Sequence, residues 1–179
     1  MSKKVVIISS TPRKNGNSQI LCEAFEKGAK ETGNDVELIS LRENRINYCV
    51  GCYGCRKTGK CVQKDGMNEI LDKMLDADVL VFGTPIYMYD VCGQLKTFID
   101  RILPKYKEIK DKDMYYIATC AEEDKNAIER SILTINGLLD CVENVTLKKV
   151  VYGIGLHGTG EATNSNSYNE AYELGKNIW

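Results

Sequence analysis

The chain has 179 residues, of which 43% are hydrophobic and 27% are charged, and its formal net charge is −1. This composition predicts one ordinary globular domain with a buried core, and the balanced charge offers no basic surface for a nucleic-acid partner. The apolar runs are too short to span a bilayer, and the first residues lead into a strand pattern without a signal sequence, so we expect a cytoplasmic protein with no membrane partner.

Short apolar runs alternate with helical patterns along the chain. The apolar runs predict five strands, over residues 5–8, 36–40, 79–82, 114–119 and 145–151. Apolar residues at helical spacing predict helices over residues 17–32, 67–75, 91–102, 128–139 and 167–179. This alternation favours an α/β fold, with a five-stranded parallel sheet in the order 2-1-3-4-5 and helices on both faces. We expect a single domain over residues 1–179, with an irregular, cysteine-rich loop at about 42–66.

The loop after the first strand is rich in hydroxyl, amide and guanidinium groups. In a sheet of this order, ligands bind where the strand order reverses, beside the ends of strands 1 and 3. The free N–H groups at the start of the next helix favour an anion, and the side chains of the loop suit the oxygens of a phosphate. These candidate phosphate ligands are Ser10, Thr11, Arg13, Asn15, Asn17 and Ser18.

Neither of the two common nucleotide motifs is present in this loop. The GxxxxGK[ST] pattern of P-loop proteins and the GxGxxG pattern of dinucleotide-binding proteins are both missing. A single phosphate group therefore fits better than a pyrophosphate, and FMN carries one. The alternative interpretation is that these polar residues only cap a helix, with Asn17 as the N-cap.

Four of the eight cysteines follow the spacing C-x2-C-x2-C-x5-C in the irregular loop, at Cys49, Cys52, Cys55 and Cys61. In a reducing compartment such a cluster indicates metal or redox chemistry rather than disulfide bonds. Four thiolates at this spacing suit a [4Fe–4S] centre, although the last interval is longer than in the ferredoxin run. A zinc ion and free or oxidised thiols are the alternatives. Three scattered cysteines are predicted to be buried thiols of the core, at Cys22, Cys92 and Cys141.

Three segments together resemble the NADPH-dependent FMN reductase family. The first is residues 10–18, and the second is residues 83–87 with the helix that follows at 93–101. The third is the cysteine-rich segment 49–61, which is similar to the iron–sulfur flavoprotein branch of that family. The resemblance covers roughly the first hundred residues. It implies a flavodoxin-like fold, tightly bound FMN and assembly as a homodimer or homotetramer.

The resemblance also assigns residues to the cofactor. Those expected to hold the phosphate are Thr11, Arg13, Asn17 and Ser18. Those expected beside the ribityl chain and the isoalloxazine ring are Thr84, Pro85, Ile86 and Tyr87. A third contact is expected after the fourth strand, at Thr119, Cys120 and Ala121. The sole histidine, His157, is predicted to lie in a surface loop, and no residue is assigned as a general acid or base.

Two functions follow from the resemblance, and they differ in the electron donor. The first is an FMN-dependent oxidoreductase that transfers electrons from NAD(P)H to FMN, a quinone or another small-molecule acceptor. The second is an iron–sulfur flavoprotein that carries electrons between a ferredoxin-like donor, a [4Fe–4S] cluster and FMN. A redox-sensing or metal-binding module is a third interpretation of the cysteine loop.

Overall fold

The secondary structure follows the apolar pattern of the sequence. A computed structural model describes residues 2–178. The strands are β1 (Lys4–Ser9), β2 (Asp35–Ser40), β3 (Val79–Tyr87), β4 (Asp90–Val91), β5 (Lys110–Thr119) and β6 (Glu143–Gly153). The helices are α1 (Asn17–Glu31), α2 (Cys55–Thr58), α3 (Met67–Asp76), α4 (Gly93–Asp100), α5 (Asn126–Leu139) and α6 (Asn166–Lys176), with a 3₁₀ turn at Glu161–Asn164.

The five long strands form one parallel sheet in the order β2-β1-β3-β5-β6. This confirms the predicted order, with β5 and β6 as the fourth and fifth predicted strands. The strand count is six rather than five, because the short β4 pairs antiparallel with the end of β3. Met88 and Tyr89 form the turn between them, with φ of 53° and 65°. Left-handed hairpin turns usually carry Asn or Gly, so nothing in a Met-Tyr pair predicts this hairpin.

β3 runs past its predicted end to Tyr87. Its ladder with β5 continues as far as Pro85, opposite Thr119. β1 ends at Ser9, opposite Gly83, so Pro85 has a paired parallel strand on one side only. A sheet tolerates proline at such a position. The Gly-Thr-Pro sequence predicted a strand end, but the longer β5 extends the pairing.

Alternate strand residues point to opposite faces of the sheet, and each face has its own apolar core. α1 and α6 cover one face, where Val5, Ile7 and Phe25 are buried. α3, α4 and α5 cover the other face, where the rings of Phe82 and Phe98 pack edge to face at 5.7 Å. Because both faces are covered, the central strands are nearly continuous apolar runs.

Helices α1 and α6 pack closely because a glycine lies at each side of their contact. A Cβ atom on Gly28 would overlap the carbonyl oxygen of Tyr172, and a Cβ atom on Gly175 would overlap that of Phe25. The two backbones therefore touch directly. This contact fixes the last helix of the fold against the first.

Two of the three scattered cysteines lie in the core, as predicted. Cys22 and Cys92 are buried, and burial raises the pKa of the Cys22 thiol. The prediction for Cys141 is wrong, because this residue is exposed. α5 ends at Leu139, so Cys141 lies beyond the helix, on the approach to the edge strand β6.

The C-terminal part of the chain ends in α6, which stops at Lys176. The predicted end of this helix at Trp179 lies outside the described residues, as does Met1. His157 is exposed in the loop after β6, as predicted. None of the helices over residues 2–178 has the length and the hydropathy needed to span a bilayer. The single domain over residues 1–179 stays a prediction.

The contact between α1 and α6 predicts opposite effects for two helical glycines. Gly28→Ala should lower the free energy of unfolding by about 1–3 kcal/mol, because the added methyl group forces the helices apart. Gly137→Ala should raise it by about 0.5–1 kcal/mol, because alanine is the better helix former. Nothing lies within 4 Å of a Cβ atom placed on Gly137. Urea unfolding followed by circular dichroism measures both changes, and equal effects would contradict the close contact.

Candidate functional site

The loops after β1, β3 and β5 meet at one edge of the sheet. Ser9 pairs with Gly83 and Pro85 pairs with Thr119, so the three strands end close together. Ser10 donates from its N–H and from its hydroxyl to the Gly83 carbonyl oxygen, at 2.9 and 2.8 Å. The strand order reverses at this point, which is where open α/β sheets bind their ligands.

The N-terminus of α1 lies in the loop after β1 and has no side-chain cap. Gly16 is the N-cap residue, and no acidic residue lies in the first turn. The first backbone bond of the helix runs from the Ile20 N–H to the Gly16 carbonyl oxygen. The N–H groups of Asn17, Ser18 and Gln19 therefore have no acceptor within residues 2–178. Unpaired N–H groups at the positive end of the helix dipole favour an anion.

Ser18 supplies a further unpaired donor at the same place. Its hydroxyl is buried and has no hydrogen-bond partner in the described part of the chain. Thr11 is also buried, and its Oγ1 accepts from the Arg13 N–H at 3.3 Å. The Arg13 side chain is exposed beside them. N–H groups, a hydroxyl and a guanidinium form a donor set that fits the phosphate of FMN.

A tight turn brings these donors together. A Cβ atom on Gly16 would lie 2.5 Å from Thr11 Oγ1 and 3.3 Å from the Arg13 carbonyl oxygen, so only glycine fits without a shift. Asn15 has a φ of 55°, a left-handed conformation that asparagine adopts more readily than most residues. Asn15 therefore shapes the turn, and a contact between its side chain and a phosphate stays a prediction.

The side chains of Asn17 and Ser10 are already bonded within the protein. Asn17 Nδ2 donates to the carbonyl oxygens of Leu156 and Gly158, at 3.4 and 2.8 Å. Its Oδ1 accepts from the Ala162 N–H at 3.1 Å. Asn17 therefore ties α1 to the segment after β6 and is not the N-cap. We assign both side chains to positioning the loop, which leaves the backbone N–H of Asn17 for the predicted phosphate contact.

A buried hydrogen-bond network joins this loop to the end of β3. Thr84 Oγ1 accepts from the Cys92 N–H at 3.2 Å and donates to the Pro85 carbonyl oxygen at 2.9 Å. The Cys92 thiol donates to Ser10 Oγ at 3.2 Å. Thr84 is thus a positioning residue, and Cys92, predicted only as a core thiol, links two cofactor loops at the start of α4. No sequence spacing marks this role, because it depends on a contact between residues 10 and 92.

Exposure increases along the segment that is predicted to border the flavin ring. Pro85 is buried, Ile86 is half-buried and Tyr87 is 39% exposed. This gradient leads from the sheet edge towards solvent. The segment therefore offers an apolar surface to a flat ligand, and a contact with the flavin ring stays a prediction.

The predicted third contact lies beside the end of β3. Thr119 and Cys120 are buried, and Ala121 is exposed just beyond β5. The Cys120 N–H donates to the Gly153 carbonyl oxygen at 2.8 Å, and its thiol donates to that of Glu122 at 3.3 Å. Burial raises the pKa of Cys120, so the thiol is neutral near pH 7. A buried, neutral thiol is a poor nucleophile, and a contact between Cys120 and the flavin stays a prediction.

The cysteine-rich loop lies between β2 and α3, with only the short α2 inside it. Its four cysteines line one narrow cavity of about 20 Å³, together with Arg101. Cys49 and Cys52 are exposed, whereas Cys55 and Cys61 are partly buried. Within residues 2–178, no group of three or more His, Cys, Asp or Glu side chains is arranged to hold a metal ion. The four predicted ligands therefore surround one cavity, without the arrangement that a single metal ion requires.

A buried ion pair holds the two ends of this loop together. Arg101 is 1% exposed, and its Nη1 and Nη2 donate to the two carboxylate oxygens of Asp65, at 2.8 and 2.9 Å. Arg101 Nη1 also donates to the Asn47 carbonyl oxygen, and Asp65 accepts from the Asn47 N–H at 2.9 Å. Because Asn47 and Asp65 flank the four cysteines, these bonds fix both ends of the segment that carries them. We call this group of Asn47, Asp65 and Arg101 the clasp.

Charge and burial both act on the clasp. The bond to Arg101 holds the pKa of Asp65 below its usual value, and the pKa of Arg101 is raised, chiefly by Asp65 and further by Cys61. Arg101 Nε is buried without a partner in the described residues, which costs about 1–3 kcal/mol unless something accepts its N–H.

The sequence patterns do not indicate the roles of Asp65 and Arg101. One signal was available for Arg101. It follows the buried Phe98 by three residues and so falls on the apolar side of α4. An arginine on a buried helix face needs a carboxylate partner, and no sequence pattern identifies which one.

An open cavity of about 430 Å³ lies between the loop after β1 and the cysteine-rich loop. Pro12 lines it on one side, and Arg42 and Arg45 line it on the other. The start of α4 contributes Gly93 and Gln94, and this helix has no acidic residue in its first turn. Arg45 gives the cavity a positive charge that suits an anionic ligand, whereas Arg42 is paired with Glu43 at 2.6 Å.

Comparison with known proteins agrees with this geometry. The sequence profile described as NADPH-dependent FMN reductase matches residues 3–142. An iron–sulfur flavoprotein of Archaeoglobus fulgidus is 40% identical over 101 residues, which is 56% of this chain and 46% of that protein. The chain thus spans about half the length of the curated relatives it matches.

Solved structures share the fold over nearly the whole chain. The NAD(P)H:quinone oxidoreductase from Methanothermobacter marburgensis has a TM-score of 0.79 at 20% identity, covering 99% of this chain and 96% of that one. An FMN-dependent NADH-azoreductase from Bacillus anthracis, in complex with FMN, has a TM-score of 0.70 at 17% identity, covering 97% and 98%. At these identities the likeness shows the fold alone, and that fold is flavodoxin-like, as expected.

The family assignment rests on the sequence profile. Its match begins before β1 and ends after α5, so it includes the phosphate loop, the end of β3 and the cysteine-rich loop. The resemblance found in the short motifs therefore extends over most of the chain. The protein belongs to the NADPH-dependent FMN reductase family.

Proposed function

We propose that the protein is an FMN-dependent oxidoreductase that takes electrons from NAD(P)H and passes them to a small-molecule acceptor such as a quinone. One observation carries the proposal. The uncapped N-terminus of α1 and the buried, unpartnered Ser18 hydroxyl converge at the reversal point of the sheet. Such a donor set is costly to leave unpaired and suits a single phosphate.

Each part of the site has a task in holding FMN. The N–H groups at the start of α1, the Ser18 hydroxyl and the Arg13 guanidinium hold the phosphate. The exposed edge at Ile86 and Tyr87 borders the ring, with Ala121 on the neighbouring loop. When bound, FMN accepts a hydride and releases electrons singly or in pairs. The protein supplies the binding, the orientation and the charges around the ring.

The cavity beside the phosphate loop is the proposed entry for the electron donor. Its volume of about 430 Å³ gives room for part of a nicotinamide nucleotide. Arg42 and Arg45 line it and match the negative charge of the donor's phosphates. The matched family profile also names NADPH as the donor. A homodimer or homotetramer in the cytoplasm remains part of this proposal.

A second candidate function is electron transfer through a [4Fe–4S] centre in the cysteine-rich loop, between a ferredoxin-like protein and FMN. Its support is that Cys49, Cys52, Cys55 and Cys61 line one cavity, and that the matched relatives are named iron–sulfur flavoproteins. Four thiolates fit the centre chemically, and the orphaned Arg101 Nε offers a hydrogen bond to its sulfur. The cavity of about 20 Å³ must enlarge to hold the centre.

The phosphate assignment predicts weaker FMN binding for two variants. Arg13→Ala should raise the Kd for FMN about tenfold or more, and Ser18→Ala about fivefold, because each removes a charge-assisted bond. Quenching of FMN fluorescence by the apoprotein measures both values. Riboflavin, which lacks the phosphate, should bind these variants and the wild type equally.

The matched control for Arg13 is Lys30→Ala, which removes one positive charge at the other end of α1. Its Kd for FMN should equal that of the wild type. A Kd within twofold of the wild type for both loop variants would place the phosphate elsewhere.

The donor cavity predicts a change in KM rather than in kcat. The FMN-loaded protein should oxidise NADPH or NADH rapidly with a quinone as acceptor. Arg42→Ala combined with Arg45→Ala should raise the KM for the nicotinamide several-fold and leave kcat nearly unchanged, because these groups bind remote phosphates. Stopped-flow spectroscopy follows the flavin absorbance. If neither nicotinamide reduced a flavin that dithionite reduces readily, the oxidoreductase proposal would fail.

The second candidate predicts iron and sulfide in the protein. Purification without oxygen should yield about four iron and four sulfide per chain, with a broad absorbance shoulder beside the flavin bands. Cys52→Ser should lose the iron and keep FMN, because the flavin loops do not include this residue. A flavin-only spectrum with zinc or no metal in the wild type would exclude the centre.

A further inference from the structure

The buried guanidinium of Arg101 has one donor that the fold leaves unused. Its two Nη groups are bonded to Asp65 and Asn47, and its Nε has no acceptor in the described residues. The side chain is 1% exposed, so water does not replace the missing acceptor freely. An unpaired donor in such a place indicates that its acceptor comes within reach only when a ligand binds.

The position of Arg101 indicates the kind of partner. It lines the same small cavity as the four cysteines of the loop, and the one carboxylate in that lining, Asp100, is paired with Lys96 at 2.6 Å. Cys61 is the cysteine close enough to act on its charge. The cavity therefore presents sulfur to the unused N–H, and a thiolate that ligates a metal is a good acceptor of such a bond.

We propose that Arg101 is a positioning residue for a metal centre in the cysteine-rich loop, whose Nε–H donates to the thiolate of Cys61 when the centre is bound. The inference rests on the second candidate function. The bond to Asp65 holds the guanidinium in one orientation, and the bonds to Asn47 hold the loop ends. The clasp thus holds the Nε–H of Arg101 in one direction, towards the sulfur of Cys61. Hydrogen bonds to the sulfur of such centres raise their reduction potential.

The role of Arg101 differs from that of the exposed basic residues in the cysteine-rich loop. Arg56 stacks on the Tyr53 ring at 4.1 Å and is exposed to solvent. It adds positive charge near the cysteines, but solvent screens that charge. Arg101 and Arg56 are therefore a matched pair of arginines, one buried with a directed donor and one exposed without.

The test compares wild type, Arg101→Lys and Arg56→Lys, all purified without oxygen. Both substitutions keep the charge, but only Arg101→Lys removes a buried Nε–H. We expect one FMN per chain in all three. Arg101→Lys should hold less iron and sulfide per chain and show a more negative midpoint potential in a redox titration monitored by electron paramagnetic resonance, whereas Arg56→Lys should match the wild type. Wild-type iron content and potential in Arg101→Lys would overturn the inference.

A second measurement does not depend on how well Arg101→Lys folds. Wild type and Arg56→Lys are labelled with ¹⁵N-arginine, and pulsed resonance of the reduced centre measures hyperfine coupling to nitrogen. Both should show a ¹⁵N coupling that unlabelled protein lacks. If iron is present and this coupling is absent, the role of Arg101 is overturned, but the second candidate function is not. Wild type without iron would overturn the second candidate function, and this inference with it, while leaving FMN binding intact.

Discussion

The buried ion pair between Arg101 and Asp65 is the constraint on which the cysteine-rich loop depends. The loop contains one short helix, so its own secondary structure does not fix its course. Arg101 bonds to both ends of the cysteine segment, at Asn47 and Asp65, and so holds these two ends together. A pair this deeply buried is costly to separate, because breaking it leaves an uncompensated charge.

Helix α4 joins this clasp to the candidate flavin site. Its N-cap residue, Cys92, bonds to Thr84 and to Ser10, and its C-cap residue is Arg101. Eight residues of helix span about 12 Å. The candidate flavin site and the cysteine-rich loop are therefore held at the two ends of one rigid helix. A flavin and a metal centre on such a frame would keep a fixed separation, which suits electron transfer between them.

The phosphate loop follows a different principle, in which the backbone supplies most of the donors. The side chains of Asn17 and Ser10 form hydrogen bonds that hold the loop in place, and the N–H groups at the start of α1 remain unpaired. Membership of the reductase family is compatible with the candidate iron–sulfur centre, because the two sites lie in different parts of the fold. The candidate flavin site uses the edge of the sheet, whereas the cysteines occupy a loop that the sheet does not constrain.

The order of the five long strands could be predicted from the sequence, because buried strands and amphipathic helices leave distinct periodicities and right-handed crossovers allow few arrangements. The candidate phosphate donors could be picked out as well, because they lie in one short segment, and their contact with a phosphate stays a prediction. The partners of Asn17, Cys92 and Arg101 depend on the tertiary structure. Asn17 meets Ala162 across 145 positions, and Arg101 meets Asp65 across 36. Local periodicity carries no information about such contacts, since they exist only after distant elements have packed. The same reason accounts for the exposed Cys141 and for the unpredicted β4, which depend on where α5 ends and on how the end of β3 turns back.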